Sequence, residues 1–475
     1  MMACALAAAT LGAQAPDRSA PPKMGPPPAL HLPAIQKRQL SNGVPVWVVE
    51  LHKVPVIQVN LVILSGSGAD PANKFGVASL ATAMLEDGAG SRSALQIADA
   101  IDFLGADLTT SAATDSSAVR LHVPIARLGD ALPVMADVSL RPTFPADELD
   151  RLRQQRLTSL LQARDDPATI DSLAFSRVLY GPTHRYGTAI AGTAATITAM
   201  TPQDLRAFYA SAFRPANAAL LVVGDTTPDA VVPMLESSFG RWKAEAEARP
   251  VSLPAPPTRA AREIYLVDKP GAAQSQIRIG SVGAPRSTPD YFPLQVMNTI
   301  LGGSFSSRLN LNLREKHGYT YGASSGFDMR STAGPFTAFA AVQTDKTADA
   351  LKEFFNELNG ILQPVPADEL DRAKNYAALR YPSAFETTGD ISRRLEDAIV
   401  YHLPDDYFAT YVQNIQAVTA ADVQRVAKKY IQPSRVAVVI VGDLKVIEPG
   451  IRALNLGPIH VLKIDDVFGP APSMP

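Results

Sequence analysis

The residues best placed to do chemistry lie in the stretch 301–322, where Arg308, Asn310, Arg314, His317, Tyr319 and Tyr321 follow a Gly-Gly-Ser start. The stretch lacks Gly-Lys-[Ser/Thr], so it does not build a phosphate-cradling loop. Phe305, Leu309 and Leu313 form a helical stripe with Arg308 and Arg314 on or near its edges. On this pattern alone, helix-end arginines are solvated or structural, and Tyr321 is a core or strand residue. All seven histidines stand alone, with no pair at i, i+3 or i+4, so no helix face offers two imidazoles to a metal. The single cysteine, Cys4, excludes an intrachain disulfide and a thiolate cage.

The elements that position these residues occur twice. Pro-Ala-Asp-Glu-Leu-Asp-Arg appears at 145–151 and at 366–372, an offset of 366 − 145 = 221. Residues 201–225 are echoed by 419–443, displaced by 419 − 201 = 218. A period this long matches a whole domain, since solenoid repeats run about 20 to 50 residues. The 475 residues, 46% hydrophobic and 19% charged, supply large cores. A formal net charge of −2 and the absence of a basic block argue against a nucleic-acid partner.

Within the first copy, residues 44–49, 56–64, 118–123 and 219–223 read as strands, with 56–64 buried on both faces. Residues 76–86, 93–104 and 147–163 read as helices, the last with Leu149, Leu152, Leu160 and Leu161 on one face. Val436 to Val441 is the matching last strand of the second copy. Strands and helices that do not alternate regularly predict an α+β fold of two homologous domains, each a mixed, mostly antiparallel sheet packed with helices. The expected organisation is a signal peptide at 1–15, a Pro-rich linker at 16–35, domains at 36–247 and 263–445, a Pro-rich linker at 248–262 and a weakly patterned tail at 446–475. The apolar start ending Gly-Ala-Gln-Ala predicts cleavage after Ala15 and export, most simply to a periplasm, with no membrane span afterwards.

Leu40-Ser-Asn-Gly before a strand, Gly76-Val-Ala opening a helix, Tyr186-Gly-Thr and the closing Val-Gly-Asp resemble the insulinase/pitrilysin zinc metallopeptidases over residues 36–445. The resemblance implies one half of a clamshell like that of mitochondrial processing peptidase. Those enzymes carry H-x-x-E-H on a helix, where two imidazoles hold Zn²⁺ and the Glu deprotonates its water. Here the three positions hold Ser79, Thr82 and Ala83, and the downstream glutamate ligand falls on Thr158 or Ser159. Neither a hydroxyl nor a methyl replaces imidazole or carboxylate. No G-x-S-x-G elbow makes Ser79 or Thr82 a nucleophile instead.

In similar peptidases the half without zinc supplies an Arg and, seven positions later, a Tyr. Arg314 and Tyr321 match, since 321 − 314 = 7, with Tyr319 the nearby competitor and Asn310 or His317 as possible assistants. The guanidinium would hold substrate carbonyls and the phenol would donate to the developing oxyanion. The resemblance thus implies a non-catalytic subunit, with no cofactor of its own. Zinc would sit in a homologous partner chain bearing H-x-x-E-H, and the substrates would be unfolded peptides that add a strand to a sheet edge. Residues 273–280 are the candidate edge, though their polar alternation equally marks an ordinary half-exposed strand. The competing expectation is an inert peptide-binding or scaffold protein of the same fold, and a zinc enzyme with unorthodox ligands is the third.

Overall fold

The computed structural model describes residues 34–244 and 253–472; the expected signal peptide and nearly all of the first linker lie outside them. Two six-stranded sheets dominate. The first contains β1 (Gln36–Gln39), β2 (Pro45–Glu50), β3 (Val56–Ile63), β4 (Asp107–Ala112), β5 (Ser117–Pro124) and β6 (Ala218–Gly224), in the order β1-β2-β6-β3-β5-β4. The second contains β7 (Glu263–Asp268), β8 (Gln274–Val282), β9 (Thr320–Phe327), β10 (Pro335–Gln343), β11 (Ala437–Gly442) and β12 (Ile459–Leu462), in the order β9-β10-β8-β11-β7-β12.

Duplication is visible in the pairing itself. In each copy the first and last core strands run parallel, β2 with β6 and β7 with β11, and the remaining core neighbours are antiparallel. Only the outermost strand differs: β1 precedes the first sheet antiparallel to β2, whereas β12 comes from the tail and runs parallel to β7. The α+β architecture is the one the sequence predicts. The repeated heptapeptide starts equivalent helices, Ala146–Ala163 and Ala367–Arg380, each with a proline at the N-cap and acidic residues in the first turn. The longer echo starts another pair, Pro202–Ala212 and Ala420–Tyr430, through the same capping box of Thr201 with Asp204 and Thr419 with Asp422.

Each copy also covers the other's sheet. Helix Pro167–Tyr180 of the first copy lays Ile170, Ala174, Phe175 and Leu179 against Val267, Ala437, Val439 and Val441. Helix Thr388–Val400 of the second lays Ile391, Leu395, Ala398 and Ile399 against Val49, Val62, Leu221 and Val223. The starts differ by 388 − 167 = 221, the offset of the heptapeptide. This exchange explains why β6 and β11 carry no polar face, since both sides of each strand are buried. Each large side chain so covered contributes about 1.5–3 kcal/mol, which makes the two copies one cooperative body.

Polar contacts fix the exchanged helices. Glu396 accepts a two-pronged bond from Arg120, at 2.7 and 2.6 Å, and a third from Asn60 at 2.6 Å. On the other side Arg278 Nε donates to Asp171 Oδ2 at 2.7 Å, while the buried Asp171 Oδ1 has no donor among the described residues. Burial pushes the Asp171 carboxyl up to about 6, against the pull of Arg278. Because the folded state holds this proton more tightly than the unfolded chain, stability from this group falls as pH rises from 3.8 to about 6. Denaturant titrations across that window are expected to show at most one proton's slope in the wild type, and none from this site in Asp171→Asn.

Three expectations need correction. Residues 273–280 belong to β8, which sits between β10 and β11, so they form no edge; the alternating burial of that strand is the ordinary half-exposed pattern. The outermost strands are β1 and β4 in one sheet and β9 and β12 in the other. In helix Ala146–Ala163 the buried leucines are Leu149 and Leu157, whereas Leu161 is 38% exposed, because the helix end runs past the core it packs on. Phe305 leaves its stripe: Leu309 and Leu313 are fully buried, but Phe305 is 62% exposed. The tail packs down, adding β12 and a short helix, Ile464–Phe468, whose Val467 and Phe468 join the cluster around helix Pro167–Tyr180.

Candidate functional site

Helix Val77–Ala83 carries the three positions that would hold a metal and its base. Its start is fixed by a buried ion pair. Asp70 accepts from the Gly76 amide at 2.7 Å and the Ala78 amide at 2.9 Å, capping the helix from six residues upstream. Arg185 Nε donates to Asp70 Oδ2 at 3.0 Å and to the Ser67 carbonyl at 2.8 Å, and its Nη groups reach Thr188, Ala189 and Ile190. Both side chains are at most 3% exposed. Burial pushes the Asp70 carboxyl up and pulls the Arg185 guanidinium down, so the pair persists only because nearly every polar atom is used.

Two glycines let the helix start close on the 184–192 loop. Gly76 has φ +100° and a Cβ there would lie 2.4 Å from the Ala191 carbonyl oxygen; Gly192 has φ +90° and its Cβ would lie 2.2 Å from that of Phe75. Gly76→Ala is therefore expected to lower unfolding free energy by at least about 1–2 kcal/mol from the backbone conformation alone, read by urea denaturation. His184 is structural here: its Nδ1 accepts from the Tyr186 amide at 3.0 Å, leaving Nε2–H to donate to the Pro254 carbonyl at 3.0 Å.

The positions themselves offer a metal nothing. Ser79 and Ala83 are half-buried, and Thr82 is fully buried with a hydroxyl that has no partner among the described residues. Arg156 lies against this face, donating to the Ser79 hydroxyl at 2.9 Å and to the Ser79 carbonyl at 3.0 Å. Burial pulls its guanidinium below the ordinary value, yet an arginine remains a cation. One turn further along the same helix, Ser159 is exposed and Thr158 half-buried, and their hydroxyls bond back to the carbonyls of Gln155 and Gln154. Glu86 is the nearest carboxyl beyond the helix end; it pairs with Thr110, and burial pushes it up. Among the described residues no three His, Cys, Asp or Glu side chains converge as a metal site would require. Arg156 could not be found from spacing, because the sequence gives no sign of which neighbouring side chain will fill a vacated ligand position.

In the second copy the stretch around Arg314 is a short α-helical turn, Arg308–Asn310, running into a π-helical turn, Leu311–Lys316. Arg308 forks onto Glu369 of the repeated heptapeptide at 2.8 and 2.6 Å, which makes it structural. Asn310 donates to the Phe305 carbonyl at 2.7 Å and accepts from the Ala323 amide at 3.3 Å, pinning the turn to β9. The amides of Gly318 and Tyr319 close on the carbonyls of Arg314 and Leu313 at 3.0 and 2.9 Å. Arg314 and the start of β9 thereby belong to one rigid corner.

Tyr319 and Tyr321 part company at that corner. Tyr319 packs partly on the core, stacked with His317 at 4.9 Å. Tyr321 is 91% exposed, on a free sheet edge, where the register slips between Thr320 and Ala323 and a bulge redirects the side chain. The Arg314 guanidinium sits 4.6 Å over the Phe305 ring and within 3.3 Å of Glu315, half-exposed. A phenol and a guanidinium held on stiff backbone and left facing solvent can serve another molecule's reaction as hydrogen-bond donors. Four cavities, of ≈ 420, ≈ 460, ≈ 480 and ≈ 610 Å³, are lined by other residues.

Known proteins resemble both copies of the chain. Residues 46–179 match the insulinase family (peptidase family M16), and residues 199–376 match the peptidase M16 inactive domain. An uncharacterized zinc protease of Mycobacterium leprae is 26% identical over 340 residues, 70% of this chain and 74% of that protein. The crystal structure of a peptidase M16 inactive domain from Pseudomonas fluorescens superimposes with a TM-score of 0.80 at 29% identity, covering 86% of this chain and 98% of that one. A periplasmic protease of Escherichia coli shares the fold alone, with a TM-score of 0.73 at 17% identity over 90% of this chain and 50% of the other. The chain belongs to the insulinase family, peptidase family M16, as a member whose sequence lacks the motif H-x-x-E-H.

Proposed function

We propose that this chain is the non-catalytic subunit of an exported two-chain zinc peptidase, and that a homologous partner with an intact H-x-x-E-H supplies the metal and the base. The observation that carries the reading is an asymmetry between the copies. The first copy has a guanidinium against Ser79, where a divalent cation would be repelled. The second keeps Arg314 half-exposed and Tyr321 91% exposed, although an aromatic ring gains more by burial. Such exposure makes sense when a partner surface completes the site. Unfolded peptides are the fitting substrates, since β4 is an outermost strand to which an extended segment could add. Export, most simply to a periplasm, follows from the cleavable apolar start.

Joint expression with such a partner, followed by peptide hydrolysis and zinc analysis, tests the proposal. The expected result is activity only when both chains are present, with one zinc per heterodimer and none on this chain alone. One equivalent of zinc on the isolated chain, or a stable complex no more active than the partner by itself, overturns it. The latter result would favour an inert scaffold, a reading supported by the placement of Arg314 and Tyr321 away from this chain's own cavities.

A further inference from the structure

Helix Tyr291–Leu301 holds, between β8 and β9, the place that helix Val77–Ala83 holds between β3 and β4. Helix Ala367–Arg380 is the counterpart of Ala146–Ala163 at the offset 367 − 146 = 221. Both line a cavity of ≈ 460 Å³, closed on its other sides by helices Thr388–Val400 and Tyr407–Ala417. This is the second copy's counterpart of the space beside helices Val77–Ala83 and Ala146–Ala163.

Four arginines line it, Arg286, Arg380, Arg393 and Arg394, against two carboxylates, Asp390 and Asp397. Arg380 stands where the duplication places Ser159, since 380 − 159 = 221. Helix Thr388–Val400 is divided by its period: Ile391, Leu395 and Ala398 bind the first sheet, while Asp390, Arg393, Arg394 and Asp397 turn to the cavity. The guanidinium groups are underused. Arg286 is stacked 3.7 Å over Tyr291 and 5.1 Å over Tyr407. Asp397 is the carboxylate whose charge Arg394 and Arg286 favour, across the cavity and against its burial. Arg380 reaches only the Tyr376 hydroxyl at 3.4 Å, and Arg393 only Asp390 at 3.5 Å. Of the carboxylates, Asp390 is already engaged by Thr387 at 2.6 Å. The Tyr381 hydroxyl, buried in the wall, has no partner among the described residues. A surface arginine ordinarily points into water alone; four converging on one ligand-sized hollow with stacked aromatic walls form a binding site.

We propose that this cavity binds a compact multivalent oxyanion, the chemistry shared by phosphate esters and di- or tricarboxylates. Two or more guanidinium forks would take the oxyanion groups in bidentate fashion, and the tyrosine rings would wall off the rest of the ligand. Binding belongs to this chain by itself, so the result is independent of any partner and of peptide cleavage.

Calorimetric titration of the whole chain with inorganic pyrophosphate, and separately with citrate, at fixed ionic strength, provides the test. Saturable binding of at least one is expected, weakened about 10-fold or more by Arg394→Gln and further by Arg380→Gln in the same chain. Both residues are exposed at the mouth, so the fold should survive, as an unchanged ligand-free melting temperature would verify. Arg394→Lys, which keeps charge but loses the fork, should fall between wild type and Arg394→Gln. Pyrophosphate binding alone assigns phosphate esters, citrate binding alone assigns carboxylates, and both together assign charge as the criterion. No saturable heat with either ligand at millimolar concentration, or equal affinity in wild type and the double variant, overturns the proposal.

Discussion

Arg314→Ala and Tyr321→Phe are each expected to lower kcat/KM of the assembled peptidase by about 10²-fold or more, the scale for losing one donor to an oxyanion. The substitutions should leave zinc content and complex affinity unchanged, because neither side chain supports the fold. Tyr321 is 91% exposed, and Arg314 holds only a ring face and an adjacent glutamate. Tyr321→Phe is the sharper experiment, since it removes one hydroxyl and retains the ring. An interaction realised only in the transition state lowers kcat and kcat/KM together, whereas one made equally with bound substrate raises KM alone. The phenol is expected to behave in the first way and the guanidinium, which holds substrate carbonyls, partly in the second. Equal kcat/KM in wild type and both variants would remove these residues from the reaction. Tyr319→Phe serves as the control: its ring is partly in the core, and its loss of a hydroxyl should leave turnover intact.

Asp70→Asn is expected to destabilise the folded chain by about 3–5 kcal/mol, the cost of breaking a buried pair by removing one partner. The amide would keep one acceptor for the amides of Gly76 and Ala78 but present a donor to the other, while Arg185 would be left charged without a counterion. Because whole domains are stable by only about 5–15 kcal/mol, such a loss would be plain in a urea transition. Arg185→Met should cost a similar amount. The double variant should cost much less than the sum, since the second change removes the stranded charge. Additive losses would mean that the two side chains act separately and that the carboxylate cap alone holds the helix start.

Much of the scaffold was legible. β3 was expected as an uninterrupted strand buried on both faces because its residues are nearly all apolar, and Val56–Ile63 is so. The helix expected over 93–104 forms as Ala94–Phe103, with a capping box between Ser93 and Gln96 at its start. The stretch 301–322 resisted reading, since apolar spacing at i, i+4 and i+8 assumes a helix running through Phe305, whereas the helical turn begins only at Arg308, after its N-cap at Ser307. The 273–280 run misled for another reason: alternation records that one face is half-exposed, and it carries no information about what pairs on either side.

Residue types alone determined that the chain is a duplicated α+β protein of this family and that its first copy lacks the imidazoles and carboxylate of a zinc helix. Those conclusions rest on identities at fixed spacing, which survive in one dimension. Tertiary structure decided that each copy lends a helix to the other's sheet, that Arg185 pairs with the helix-capping Asp70 across 115 residues, and that Arg156 lies against Ser79 across 77. It also gathered Arg286, Arg380, Arg393 and Arg394 around one hollow. Charge and hydrogen bonding act over a few ångströms, and only the folded chain sets which distant residues come that close.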